Sequence, residues 1–79
     1  MEEFERKVRE AIDSSTDAFN ILQYSQQDIE DATENVTGVL EGQNHDLTYD
    51  RIDHWVYTAD RRNHDLPYSL HLDAVEHIN

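Results

Sequence analysis

Apolar side chains recur every three or four residues along the chain, which is the period of an α-helix. In the first segment the apolar stripe consists of Phe4, Val8, Ala11 and Ile12, and we expect it to continue through Ser15, Phe19 and Leu22. The polar run at 13–17 interrupts this stripe with Asp, Ser and Thr, which compete for backbone hydrogen bonds. Two alternatives are open, one bent helix over 2–24 or a break near Asp13, and we favour the continuous helix.

The second segment has the clearest helical pattern. Ser25 is suited to the N-cap, and Asp28 stands at the third helical position, where a capping box uses a carboxylate. The apolar stripe consists of Ile29, Ala32, Val36, Val39 and Leu40. Gly42 suits the C′ position that ends a helix. Gly38 costs about 1 kcal/mol inside a helix, which indicates a close approach of a second helix. We therefore predict a helix over 26–41.

Two further amphipathic segments predict helices over 49–62 and 67–78. Pro67 suits the second of these, because proline is accepted in a first helical turn. The side chains expected to be buried are Tyr49, Ile52, Trp55, Val56, Ala59, Leu70, Ala74, Val75 and Ile78. No segment alternates with a period of two, so the sequence predicts no strand. The predicted fold is all-α, a small bundle of about four helices in a single domain over 1–79.

One short motif occurs twice. Residues 44–49 and 63–68 match at five of six positions, and each copy precedes a predicted helix. Asn and Asp favour turns and helix caps, so we interpret the motif as a device for entering a helix.

The core of such a bundle is small. A chain of this size buries roughly 60% of the surface that its unfolded form exposes. We therefore expect that a partner, or a second copy of the chain in a homodimer, adds to the stability of the bundle. The chain has no cysteine, which excludes a disulfide framework and a thiolate metal site. No apolar run reaches the roughly 18 residues of a membrane span, and no signal-peptide pattern begins the sequence, so we expect a cytoplasmic protein.

The charge is strongly negative. Asp and Glu number 18 against 6 Lys and Arg, for a formal net charge of -12. Direct binding to nucleic acid or to anionic lipid is disfavoured, because both require a basic surface. Asp outnumbers Glu and lysine occurs once, which resembles the composition of halophile proteins. Two explanations are therefore open, adaptation to molar salt, where charges are screened, or recognition of a basic partner.

The segment 25–46 contains acids and no Lys or Arg, and most of its carboxylates fall opposite the apolar stripe. The candidate partner-binding residues are Asp28, Glu30, Asp31, Glu34 and Glu41, together with Tyr57, which falls off the apolar stripe of its own helix. Carboxylates three or four residues apart on a helix lie about 5–6 Å from each other, comparable to successive phosphates. We therefore predict a non-enzymatic protein-binding module, a regulator or inhibitor that mimics nucleic acid towards a basic protein. A viral inhibitor of a host nuclease would have this character.

Two other functions stay open. Short helices with tight connections suit a helix-turn-helix-like DNA-binding regulator of a halophile, although the basic residues are few and scattered. The pairs Asp50/His54 and Asp73/His77 have helical spacing, which suits a divalent metal or a plain surface pair. No nucleophile elbow or phosphate-binding glycine loop occurs. We therefore predict no enzyme, no cofactor and no metal.

Overall fold

The computed structural model describes residues 2–43 and 48–79, and these residues form four α-helices and no strand. The helices are α1 over Glu2–Ala18, α2 over Gln26–Leu40, α3 over Thr48–Arg61 and α4 over Leu66–Ile78. The predicted all-α class and helix number are confirmed. The bounds of α2, α3 and α4 agree with the prediction to within one residue at each end.

Helix α1 ends at Ala18, well before its predicted end. Asn20 adopts a left-handed conformation with φ of 57°. The amide of Ile21 then donates to the carbonyl of Thr16 at 2.9 Å, and the amide of Asn20 donates to the carbonyl of Asp17 at 3.1 Å. These two bonds form a Schellman motif, which satisfies the last carbonyls of the helix and turns the chain away.

The polar run at 13–17 does not break α1, so the alternative of a break near Asp13 is wrong. Ser15 is buried, and its hydroxyl donates a hydrogen bond to the carboxylate of Asp53 in α3. The hydroxyl of Thr16 donates to the carbonyl of Asp13 at 2.9 Å. Because both hydroxyls have partners compatible with a helix, they do not compete with its backbone bonds.

Helix α2 begins with the predicted capping box, and the predicted glycine follows its C-terminal end. The amide of Asp28 donates to Ser25 Oγ at 3.2 Å, and the amide of Ser25 donates to Asp28 Oδ2 at 2.9 Å. Gly42 follows the C-cap residue Glu41, and the φ angle of Gly42 is 85°. The expectation for Gly38 is wrong, because a Cβ placed there would meet nothing within 4 Å. None of the four described helices packs against this glycine, which is exposed to solvent.

The turn between α3 and α4 is the second copy of the repeated motif. Asn63 is left-handed with φ of 56°, and the amide of His64 donates to the carbonyl of Ala59 at 2.9 Å. Asp65 then caps α4 by accepting a hydrogen bond from a first-turn amide. This copy therefore ends one helix and begins the next, and residues 44–47 of the first copy lie outside the described part of the chain.

The helices pack in a ring, in which α1 contacts α2 and α3, and α4 contacts the same two helices. The buried apolar residues are Phe4, Val8, Ala11, Ile12, Ile21, Ile29, Ala32, Val36, Leu40, Ile52, Trp55, Val56, Ala59, Leu66, Leu70 and Ala74. Most of the predicted stripes are thus in the core. None of the described helices has the length and apolar character needed to cross a membrane.

Four of the residues that we expected to be buried are exposed instead. Phe19 and Leu22 lie beyond the end of α1, where the helical period no longer applies. Tyr49 lies at the outer side of α3, and its hydroxyl donates to Glu10 Oε2 at 3.4 Å. Ile78 is the last residue of α4 and extends past the core.

Candidate functional site

The solvent side of α2 carries four exposed carboxylates, which we call the acidic face. They are Glu30, Asp31, Glu34 and Glu41. The helix contains no Lys or Arg. Asp28, the fifth candidate on this helix, is half-buried and its carboxylate is used in the capping box. Its role in the described structure is therefore to fix the start of α2.

An arginine of the neighbouring helix balances one carboxylate of the acidic face. Arg9 of α1 donates from Nη2 to Glu30 Oε1 at 3.1 Å. Arg6 is engaged within α1, at 2.9 Å from Glu10 and 3.7 Å from Glu3. All three ion pairs are solvent-exposed, and such pairs contribute at most about 1 kcal/mol each to stability. The anionic character of the face is therefore weakest at Glu30.

Asp31 and Glu34 are both exposed to solvent. The Asp31 carboxylate accepts a hydrogen bond from Gln27 Nε2 at 2.9 Å, and this neutral amide supplies no counter-charge. Glu34 borders a shallow depression of about 270 Å³ between α1 and α2, which Arg6 and Arg9 also line. Within residues 2–43 and 48–79, neither carboxylate lies within 4.0 Å of a cationic nitrogen. Gly38 lies four residues after Glu34 on the same side of the helix, where it leaves a position without a side chain.

Tyr57 is exposed, as we expected, but it lies on α3, which is not a principal neighbour of α2. Its ring contacts that of Phe19, with 5.1 Å between centroids, and the guanidinium of Arg61 lies 5.7 Å from its centroid. The structure therefore does not place Tyr57 beside the acidic face. Sequence reasoning missed Phe19, because the helical stripe assigned it to the core. The sequence signal for the end of the helix is Asn20 followed by the apolar Ile21, because asparagine tolerates the left-handed C′ conformation.

A second depression, of about 360 Å³, lies between α3 and α4. It is lined by Arg51, His54, Trp55, Thr58, Arg62, Asp73, Glu76 and His77. Burial raises the pKa of the Asp73 carboxyl, the negative charge of Glu76 raises it further, and the nearby His54 and Arg62 side chains oppose the rise. Acidic and basic groups thus balance each other in this depression.

The two carboxylate–histidine pairs adjoin at His54. Asp50 and His54 border a depression beside Tyr57, and His54 also borders the depression between α3 and α4 together with Asp73 and His77. In the part of the chain that the structure describes, no group of three or more His, Cys, Asp or Glu side chains is arranged to hold a metal ion.

No protein-family model, curated protein or solved structure matches the chain. The surface chemistry of the four helices is therefore the basis for a functional proposal.

Proposed function

We propose that the protein is a non-enzymatic binding module whose acidic face binds a basic, nucleic-acid-binding surface of another protein. The observation that carries the proposal is the exposure of Asp31 and Glu34, on a helix without Lys or Arg, with no ion pair to either among the described residues. A basic partner would supply the missing counter-charges. Mimicry of nucleic acid is the form of regulation or inhibition that this chemistry suits.

The geometry of the acidic face supports binding to a nucleic-acid-binding surface. Asp31 and Glu34 are one helical turn apart, so their carboxylates follow each other along the helix as phosphates do along a strand. Gly38 lies one turn further, and its missing side chain would let a long basic side chain approach the helix backbone. Long-range attraction by the net charge of -12 would accelerate the encounter with a basic protein and would weaken with salt.

Affinity capture from a cell extract tests the proposal. The immobilised wild-type protein should retain basic nucleic-acid-binding proteins, which are released by high salt and by excess duplex DNA. The variant Asp31→Lys/Glu34→Lys should lose them. A matched control, Asp17→Lys/Glu76→Lys, has the same net charge but leaves the acidic face intact, and it should retain them. Equal capture by both variants would overturn the proposal and would favour adaptation to salt as the cause of the acidity.

Direct DNA binding is a second candidate, because Arg51 and Arg62 border the same depression between α3 and α4. Neither is in an ion pair among the described residues. Asp73 and Glu76 border it too, and their charges would repel a phosphate backbone. A mobility-shift assay at low salt separates the two candidates. We expect no shift of duplex DNA by the protein alone, and a shift that Arg51→Gln/Arg62→Gln abolishes would favour the DNA-binding candidate.

A further inference from the structure

Two aromatic rings form an exposed pair on the surface that joins the end of α1 to α3. Phe19 is 38% exposed and Tyr57 is 42% exposed, and their ring planes are inclined by 55°. The two rings line a depression of about 400 Å³ together with Asp50, Asp53 and His54. We call these five residues the aromatic patch.

The exposure of Phe19 is built into the backbone. The Schellman motif at Asn20 directs Ile21 into the core and leaves the preceding ring on the surface, where it packs against Tyr57. Single exposed apolar residues are normal, but a pair of rings that line one depression is typical of a binding surface. Aromatic side chains are also enriched at the centres of protein interfaces.

The charges around the rings indicate which partner fits. Asp50 and Asp53 are exposed carboxylates on the same helix as Tyr57. The ring of Tyr57 already accepts one guanidinium, that of Arg61, at 5.7 Å. A planar guanidinium can stack on a ring while it donates hydrogen bonds to a neighbouring carboxylate. A second copy of this chain, with its net charge of -12, would be repelled instead.

We infer that the aromatic patch is a second docking surface, and that it receives arginine side chains of a basic partner. The rings provide the stacking surface, and Asp50 together with Oδ2 of Asp53 provides the hydrogen-bond acceptors, since Oδ1 of Asp53 already accepts from Ser15. This inference goes beyond the proposed function, because the patch lies on α1 and α3 rather than on α2. It rests on that function only for the sign of the partner's charge.

A two-dimensional NMR titration tests the inference. The probes are a tetra-arginine peptide and a matched tetra-lysine peptide, in 0.15 M salt, roughly the ionic strength at which the Debye length is about 8 Å. The arginine peptide should shift the amide signals of Phe19, Asp53 and Tyr57 more than the lysine peptide does. Tyr57→Leu keeps an exposed apolar side chain without a π-face, and it should weaken arginine binding at the patch about threefold and remove the preference for arginine.

Two further variants sharpen the test. Arg61→Gln removes the cation that competes for the Tyr57 ring, so it should increase the affinity for the arginine peptide. Asp31→Asn/Glu34→Gln should remove shifts on α2 and leave those of the patch. If the shifts are confined to α2, or if Tyr57→Leu binds like the wild type, the inference is overturned while the proposed function stands. Shifts at the patch that instead follow protein concentration would assign it to a second copy and overturn the inference too. Intact shifts at the patch without any on α2 would contradict the proposed function alone.

Discussion

The hydroxyl of Ser15 in α1 donates a hydrogen bond to the carboxylate of Asp53 in α3. Ser15 is 1% exposed, so this bond joins a fully buried position to the surface of the neighbouring helix. It allows a serine-rich segment to remain helical and to pack against α3. The contact therefore links the course of α1 to the packing of the bundle.

A double-mutant cycle measures this bond. Ser15→Ala, Asp53→Ala and the double variant are compared by urea unfolding at neutral pH. We expect a coupling energy of about 1 kcal/mol, the usual net contribution of one hydrogen bond. Strictly additive effects of the two single substitutions would contradict a specific bond and would leave only helix propensity and packing to explain the position of Ser15.

Thr37 gives a prediction about a buried polar atom. The Oγ1 atom of Thr37 is buried and has no hydrogen-bond partner among the described residues. Thr37→Val removes the unsatisfied hydroxyl and should raise the free energy of unfolding by about 1 kcal/mol. Thr33→Val is the matched control, because its hydroxyl donates to the carbonyl of Ile29 at 2.7 Å. Urea unfolding should show a smaller gain, or a loss, for the control, and an equal gain for both would be evidence against the interpretation.

The two glycines should respond in opposite ways to alanine. Gly38 is in the interior of α2 with open space around it, so Gly38→Ala should stabilise the protein by about 0.5–1 kcal/mol. Gly42 has φ of 85°, a conformation that a Cβ disfavours, so Gly42→Ala should destabilise by about 1 kcal/mol. Thermal unfolding of the two variants measures both effects. A loss of stability in Gly38→Ala would mean that the space beside this glycine is occupied.

The Asp73 carboxyl makes stability depend on pH. Its pKa in the folded protein is raised above 3.8, first by burial and then by Glu76. The folded state therefore binds a proton more tightly than the unfolded state, and this carboxyl lowers stability as the pH rises from 3.8 through the folded pKa. Asp73→Asn should raise the melting temperature at pH 7, and the gain should disappear below pH 3.8.

The control for that experiment is Asp31→Asn, which removes one negative charge from the exposed acidic face. It measures the general effect of lowering the net charge. The excess stability gain of Asp73→Asn is then due to the surroundings of its carboxyl, first burial and second Glu76. A gain that is equal in the two variants, or that persists unchanged at low pH, would contradict the role of burial.

The number and type of helices follow from local rules that the sequence displays. The capping box at Ser25 and the C′ glycine at position 42 are read from neighbouring residues, because each device acts within one turn of the helix. The buried stripe of α2 is likewise set by its own period. These features can be predicted from the sequence without knowledge of any tertiary contact.

The features that escaped prediction depend on distant contacts or on a local competition. Ser15 is compatible with a helix because Asp53, remote in sequence, accepts its hydroxyl. Arg9 of α1 forms an ion pair with Glu30 of α2. The residue pattern within α2 alone does not reveal this pair. The apolar stripe favours a helix that continues past position 20, whereas the asparagine at this position favours a helix end. A prediction from the stripe alone does not take the asparagine into account.

The acidic face is tested most directly by the affinity of a captured basic partner, measured by calorimetry over a series of salt concentrations. Asp31→Asn/Glu34→Gln preserves the shape of α2 and removes two charges. Compared with the wild type, it should bind at least about tenfold more weakly, the effect of about 1.4 kcal/mol, and show a shallower dependence on salt. Asp17→Asn/Glu76→Gln removes two charges elsewhere and should retain most of the affinity. Unchanged affinity and salt dependence in Asp31→Asn/Glu34→Gln would contradict binding through this helix.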